Sequence, residues 1–392
     1  MNTRPYQICV QCLMDITDPE IYFDSNGICN HCHIYDQAFH TQCLPSLQDS
    51  TRLSRLLNQL KEEGKNKPYD CILGVSGGVD STFLAYQARE WGLRPLAVHM
   101  DNGWNSELAV SNIEKMLRKL DIDLHTMVID WDAFKALQLS FLKSDTPDLE
   151  IPTDHIITAV LHETAETQNV RFILSGYNCF TEAIHPRLWS HGHHDWKYIR
   201  GIHARFSNDS IEQLPHYTLN QLFRYIVLRR HKTLCLLNSI PFQKNKAVSL
   251  LEEKFEWRNY GGKHCESLYT RFVQEWIHPK KFGFQKRRAH LSCLIRSRQV
   301  TREQALAEME IKNESALQNE VDYALKKLDL SQGQFDDLLK APPKSFWNYP
   351  SYESNFLQHS LLKFLIRAPN LVEIFYTLRR KLLRATFKSK FS

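Results

Sequence analysis

Apolar residues fall along this chain in two alternating rhythms. Short, nearly continuous apolar runs, Cys71–Leu73, Pro95–Met100, His125–Ile129 and Arg171–Gly176, read as strands. Between them the apolar positions recur three and four residues apart. Leu108, Val110, Ile113, Met116, Leu117 and Leu120 follow this spacing behind Ser106, a residue that caps helices. Thr82–Ala88, Trp131–Leu142 and His155–Thr167 read as helices in the same way. Strands that alternate with helices predict a parallel sheet covered on both faces. Upstream, Asp49–Gly64 predicts a charged connecting helix, and downstream the chain reads as mostly helical over 211–250. Ala341-Pro342-Pro343 marks the end of the globular part. In the tail beyond it, Leu371, Ile374, Phe375, Leu378 and Leu382 share one helical face, which is expected to pack on the body.

A chain of 392 residues has room for two or three packed units. Its 43% hydrophobic and 24% charged residues are those of an ordinary soluble globular protein. The net charge of +5 is too small to argue for nucleic acid and suits an anionic small substrate. No apolar run approaches the roughly 18 residues of a membrane span, and Met1-Asn2-Thr3-Arg4-Pro5 leads into polar sequence, so a cytoplasmic location is expected. Thiols then stay reduced, and the spacing of the ten cysteines matters more than their number. Cys9-x2-Cys12 and Cys29-x2-Cys32 have the paired spacing of a structural Zn²⁺ ribbon, with His31 and His33 as alternative ligands and an iron–sulfur cluster as the competing reading. The other six cysteines stand singly and read as packing residues.

The chemistry concentrates in Val75-Ser76-Gly77-Gly78-Val79-Asp80-Ser81, between the first strand and its helix. Glycines let the backbone approach an anion, and a helix N-terminus presents free N–H groups to it. Ser76 and Ser81 add hydroxyls, and Asp80 can hold Mg²⁺. The Walker lysine is missing, which excludes the P-loop, and the fit of Gly74–Gly78 to G-x-S-x-G leaves the Val79-Asp80-Ser81 continuation unexplained. Asp101-Asn102-Gly103-Trp104 is a turn at the carboxyl end of the second strand, where open α/β folds bind ligands. His191, His193, His194 and Asp195 read as a solvated loop. The basic segment Pro279–Arg288 reads either as a solvated face or as a source of cations for the cleft.

The Ser76-Gly77-Gly78-Val79-Asp80-Ser81 string resembles the PP-loop of ATP pyrophosphatases. Further blocks extend the likeness over roughly residues 5–350: Met14–Pro19 between the cysteine pairs, Asp101–Asn105, Ile151–His155, Ser175–Asn178 with Glu182, Tyr260–Ser267 and Lys286–Ser292. Together they resemble the N-acetyl sugar amidotransferases of bacterial surface-polysaccharide biosynthesis, the WbpG and PseA type. Gln285, where an acidic residue is expected, and Tyr177, where many PP-loop relatives have a small or acidic one, depart from the pattern.

The resemblance implies an α/β fold with a doubly wound parallel sheet, PP-loop/HUP-like and Rossmann-like, carrying an N-terminal zinc ribbon and a largely helical C-terminal region. The expected units are 1–48 (ribbon), 49–190 (ATP pyrophosphatase domain), 191–340 (helical closing region) and 341–392 (Pro-rich linker and basic tail). It implies ATP-dependent conversion of a sugar or nucleotide-sugar acetamido group into an acetamidino group in LPS O-antigen or surface-glycan biosynthesis. Val75, Ser76, Gly77, Gly78, Val79, Asp80 and Ser81, with Asp101 and Gly176, would bind ATP, and Asp80 would hold Mg²⁺. Lys263, Lys286 and Arg287 would face the α-phosphate or the sugar's anionic group, while Asp154, His155, Asn178 and Glu182 would recognise the sugar or deprotonate ammonium. No glutaminase signature is evident in the chain, so the resemblance implies a HisH-like glutaminase with a HisF-like companion as ammonia source, and no nucleic acid partner. The rival is a tRNA-thiolating PP-loop enzyme, which generally needs a cysteine or cysteine pair at the cleft and a strongly basic face.

Overall fold

A computed structural model describes residues 4–259, 266–311 and 314–367. Lys263 and the tail positions from Leu371 onward lie outside the described residues.

Five strands, β1 Cys71–Gly74, β2 Pro95–Asp101, β3 Leu124–Val128, β4 Phe172–Leu174 and β5 Lys232–Leu234, form one parallel sheet in the order β3-β2-β1-β4-β5. The principal helices are α1 Asn30–Ala38, α2 Thr51–Gly64, α3 Val79–Glu90, α4 Glu107–Leu120, α5 Trp131–Lys143, α6 Ile151–Thr167, α7 Cys179–Glu182, α8 Trp196–Phe206, α9 Leu219–Phe223, α10 Lys244–Phe255, α11 Lys286–Arg296, α12 Arg302–Glu310 and α13 Phe356–Arg367. Successive strand residues point to opposite faces, and the strands use both. Cys71, Leu73 and Ala97 pack with Leu84, Ile113 and Met116 of α3 and α4. Ile72, Leu96 and Val98 pack with Phe134, Ile156 and Ile199 of α5, α6 and α8. This is the doubly wound arrangement that the alternating pattern predicts. The order reverses beside β1, so β1 and β4 flank the crevice where such sheets bind ligands.

Two expectations are corrected. The 211–250 region contributes β5, so the sheet takes its fifth strand from the region assigned to the closing unit; three residues are too few to show a strand period. Residues 341–367 are packed structure rather than linker. Lys344 Nζ lies 2.8 Å from Asp145, Ser351 Oγ donates to Asp195 at 2.6 Å, and Leu362 and Leu365 of α13 are buried with Leu219 and Leu222 of α9.

The N-terminal ribbon is closed by two antiparallel bridges, Ile8 with Asp15 and Phe23 with Cys29. It seats on α11 and α12. Leu13 N–H donates to Ser292 Oγ at 3.0 Å, Arg288 donates to Leu13 O at 2.8 Å, and Arg302 donates to Cys9 O and Cys12 O.

Candidate functional site

The loop after β1 is shaped by its own side chains and backbone. Gly77 has φ +82°, and a Cβ there would meet Ala109 O of α4 at 2.8 Å, so only glycine seats the loop against α4. Ser76 Oγ accepts from Gly78 N at 3.2 Å, Ser81 Oγ accepts from Ser76 N at 3.3 Å, and Trp257 Nε1 donates to Gly77 O at 3.2 Å. Gly176, at the end of β4, would bring a Cβ to 3.0 Å from Ser81 N, so it lets β4 approach the first turn of α3. Val79, Asp80 and Ser81 in that turn line a cavity of about 880 Å³.

A hydrogen-bond chain buttresses the loop from β2. His99 Nδ1 lies 3.0 Å from Val75 O, which can only accept, so this nitrogen carries the proton. Its Nε2 therefore accepts from Asn105 Nδ2 at 3.1 Å, and Asn105 also donates to Asp101 at 3.4 Å. Asp101 accepts from Gly103 N as well and is not among the cavity-lining residues, so it shapes the turn. From the other side, Ser76 Oγ donates to Glu266 Oε1 at 3.2 Å.

The opposite wall is acidic. Lys286 Nζ donates to Glu150 Oε2 at 2.9 Å, and Gln274 Nε2 donates to the same oxygen at 2.8 Å. Burial opposes the ionisation of Glu150, yet Lys286 and Gln274 outweigh it and hold this carboxyl down at about 2. Asp154, one turn further along α6, is open to the cavity but ringed by protein. Its desolvation, with the charges of Glu150 and Asp148, pushes it up to about 8. Two neighbouring carboxyls are thus pushed in opposite directions, Glu150 down and Asp154 up.

Between an unfolded value near 3.8 and about 8, the folded chain keeps a proton on Asp154 that the unfolded chain has released. Stability from this group is therefore fully present at low pH and declines as pH rises towards 8. Asp154→Asn is expected to remove that decline, measured by urea unfolding at acidic and mildly alkaline pH; equal pH slopes in both proteins would refute it.

Three consecutive cations diverge. Lys286 lines the cavity, Arg287 donates to Met309 O at 3.2 Å at the end of α12, and Arg288 holds the ribbon through Leu13 O and Asp15. The Arg287 expectation is thus corrected, because neighbouring helix residues do not share a face. His155 is also corrected. It is fully buried, donates from Nδ1 to His193 O at 2.6 Å and stacks on Tyr217, and burial lowers its pKa to about 3. Asn178 is buried as the cap of α7, accepting from Thr181 N at 3.1 Å. Glu182 does line the cavity.

His193 and His194, expected in solvent, are largely enclosed and form part of the cavity wall. Nearby Asp195 is a buried helix cap, accepting from Tyr198 N at 2.9 Å. Lys244, Glu266, His99 and His290 also line the cavity; Glu266 and His290 fall within the blocks quoted above, while His99 and Lys244 carry no sequence signal of their own. Of the cysteines outside the ribbon, Cys235 alone among the described residues lines the cavity, while Cys179 is buried and donates to Gln42.

In the ribbon, Cys9 and Cys32 sulfurs are 3.7 Å apart, Cys12 and Cys29 3.6 Å, and Cys29 and Cys32 3.9 Å. Tetrahedral Zn²⁺ with bonds of about 2.3 Å needs sulfurs about 3.8 Å apart, so the four thiolates fit the metal. His31 and His33 are instead engaged with Asp18 and Asp24. Metal removal by a chelator is expected to lower Tm and to raise hydrogen exchange in Lys286–Arg296 together with the ribbon, because Leu13 and Asp15 of the ribbon bond directly to Ser292 and Arg288 of that helix. Unchanged exchange in that helix would contradict the coupling.

Residues 266–363 match the family model for the LPS biosynthesis protein WbpG-like C-terminal domain. The matching segment brings Glu266 and Lys286 to the cavity. No curated protein matches the sequence. Among solved structures, the NH3-dependent NAD synthetase of Campylobacter jejuni is 14% identical over 53% of this chain and 93% of its own, with a TM-score of 0.28. The NMN synthetase of Francisella tularensis is 13% identical over 55% and 98%, also at 0.28. Similarity this low does not bear on activity. No helix among the described residues is long and apolar enough to cross a membrane.

Proposed function

We propose that the protein activates the acetamido group of a sugar or nucleotide sugar with ATP and replaces its oxygen with ammonia to form an acetamidino group. The observation that carries the reading is one cavity joining the loop at the N-terminus of α3 to the Lys286–Glu150 pair and to Asp154.

An amide carbonyl is a poor electrophile, so its oxygen attacks the α-phosphate of ATP and pyrophosphate departs. Ammonia then adds to the carbon of the O-adenylyl imidate, AMP leaves with the former carbonyl oxygen, and the surplus proton passes to a base. The first turn of α3, with Ser76 and Ser81, receives the charge of the departing pyrophosphate. Asp80 would hold Mg²⁺ at this turn, and the ion would supply further charge neutralisation. Glu150 accepts one of the three donors of the Lys286 ammonium and so fixes this cation on the wall opposite the loop, to face the α-phosphate or the sugar's anionic group. Asp154, with its elevated pKa, is placed to exchange the proton that ammonia sheds. A separate glutaminase, of the HisH-like kind with a HisF-like companion, is the expected ammonia source.

The test follows the oxygen. A sugar labelled with heavy oxygen in its acetyl carbonyl should yield labelled AMP, and unlabelled AMP accompanying amidine formation would exclude adenylation of the amide.

A further inference from the structure

The cavity extends well beyond the space that loop and carboxylates occupy. One face of α6 lines it throughout, with Asp154, Ile157, Thr158, Leu161 and His162 three and four residues apart in a continuous row. Eight residues separate the ends of this row, about 12 Å along the helix. At the far end Leu222, Ile226 and Leu365 complete the wall around His162, and Ile366, which is 44% exposed, brings the cavity to the surface.

The two ends differ in character. Asp154 lies within electrostatic reach of the lining side chains Glu150, Asp148, Lys286 and Glu182, so these charges gather at the N-terminal end of α6. The lining residues named above for the arm from Ile157 to Ile366 are aliphatic side chains, Thr158 and His162. Burial and the neighbouring His231 lower the pKa of His162 to about 3, so the ring is neutral, and its Nδ1 lies 3.0 Å from His231 Nδ1. An arm without charge is costly for any ion to enter and open to a small neutral molecule.

We propose that this arm is a passage for neutral ammonia, entering beside Ile366 and running along the Ile157–His162 face of α6 to the activated carbon. The proposal rests on the amidine-forming reading above. Ammonia is the size of water and matches the lining, whereas ammonium would have to leave its proton behind. Asp154 stands where the passage meets the site and can exchange the proton released on amidine formation. Such a route also lets ammonia reach the adenylylated carbon from the side away from the loop.

The test plugs the arm at Leu222, away from the loop and the carboxylates. Leu222→Trp, assayed with ammonium chloride at mildly alkaline pH, is expected to raise KM for ammonia about tenfold or more while leaving sugar-dependent pyrophosphate release in a single turnover unchanged. Leu222→Phe gives the same comparison with a smaller plug if the larger one fails to fold. An unchanged ammonia KM in a folded plug variant overturns the passage. Absence of amidine from the wild type at saturating ammonium removes the underlying reading, and the passage with it, so the two failures are distinguishable.

Discussion

Asp80→Asn is expected to leave a folded protein whose ATP-dependent activity falls by about 10²–10³-fold, the range for removing one preorganised charge-stabilising group. Asp80 lies in the first turn of α3 and lines the cavity, and its carboxylate accepts from Thr181 Oγ1 at 3.4 Å. An amide oxygen can accept that same bond, so the fold keeps its contact while the site loses a negative charge. The effect should therefore appear in kcat and in the Mg²⁺ dependence, with Tm little changed. A variant with wild-type turnover would remove Asp80 from the site.

Lys286→Met is expected to strike stability and activity together. The Lys286–Glu150 pair is 2.9 Å long, with side chains 20% and 11% exposed. Removing one partner of an enclosed pair leaves the other uncompensated, at a cost of about 3 kcal/mol. Gln274 remains on Glu150 and softens that loss. Activity should fall further than stability explains, because a cation is also lost from the cavity wall. Adding Glu150→Gln should recover much of the stability and little of the activity, and a double-mutant cycle on urea unfolding and turnover separates the two. Recovery of both would reduce Lys286 to a structural role.

β1, β2 and β4 were legible because they are short apolar runs, which parallel strands buried on both faces require, and because the helices between them have clear three-and-four spacing; β3 is a largely exposed edge strand recognised only to within one residue. β5 was not legible, since Lys232–Leu234 is an edge strand of three residues whose identity comes from pairing with β4. Ala341-Pro342-Pro343 reads as a terminus locally. Only tertiary contacts, such as Lys344 with Asp145 and Ser351 with Asp195, show that the chain continues into the body.

In the site, glycines and small hydroxyls at a strand–helix junction announced the loop. Lys286 and Arg287 looked equivalent as sequence, yet adjacent positions on a helix diverge and α12 takes the arginine. Asp154 and His155 separate for the same reason, one entering the cavity and the other stacking in the core. Asp101 ends β2 and Asn178 caps α7, positions where a polar side chain serves turn and cap geometry as readily as a ligand. Their hydrogen bonds to Gly103 N and Thr181 N identify the structural role. Glu150 and Glu266 went unassigned because their significance depends on Lys286 and Ser76, which are 136 and 190 residues away.

The most direct measurement is mass spectrometry of the sugar after incubation of the protein with ATP, Mg²⁺, ammonium at mildly alkaline pH and a panel of acetamido sugars and nucleotide sugars. Amidination predicts a product about one mass unit lighter than its substrate, carbonyl O having become NH, with one AMP and one pyrophosphate for each product formed. Unchanged sugars across the panel, alongside ATP-dependent modification of bulk tRNA in a parallel reaction, would contradict the account and place the cavity in a different chemistry.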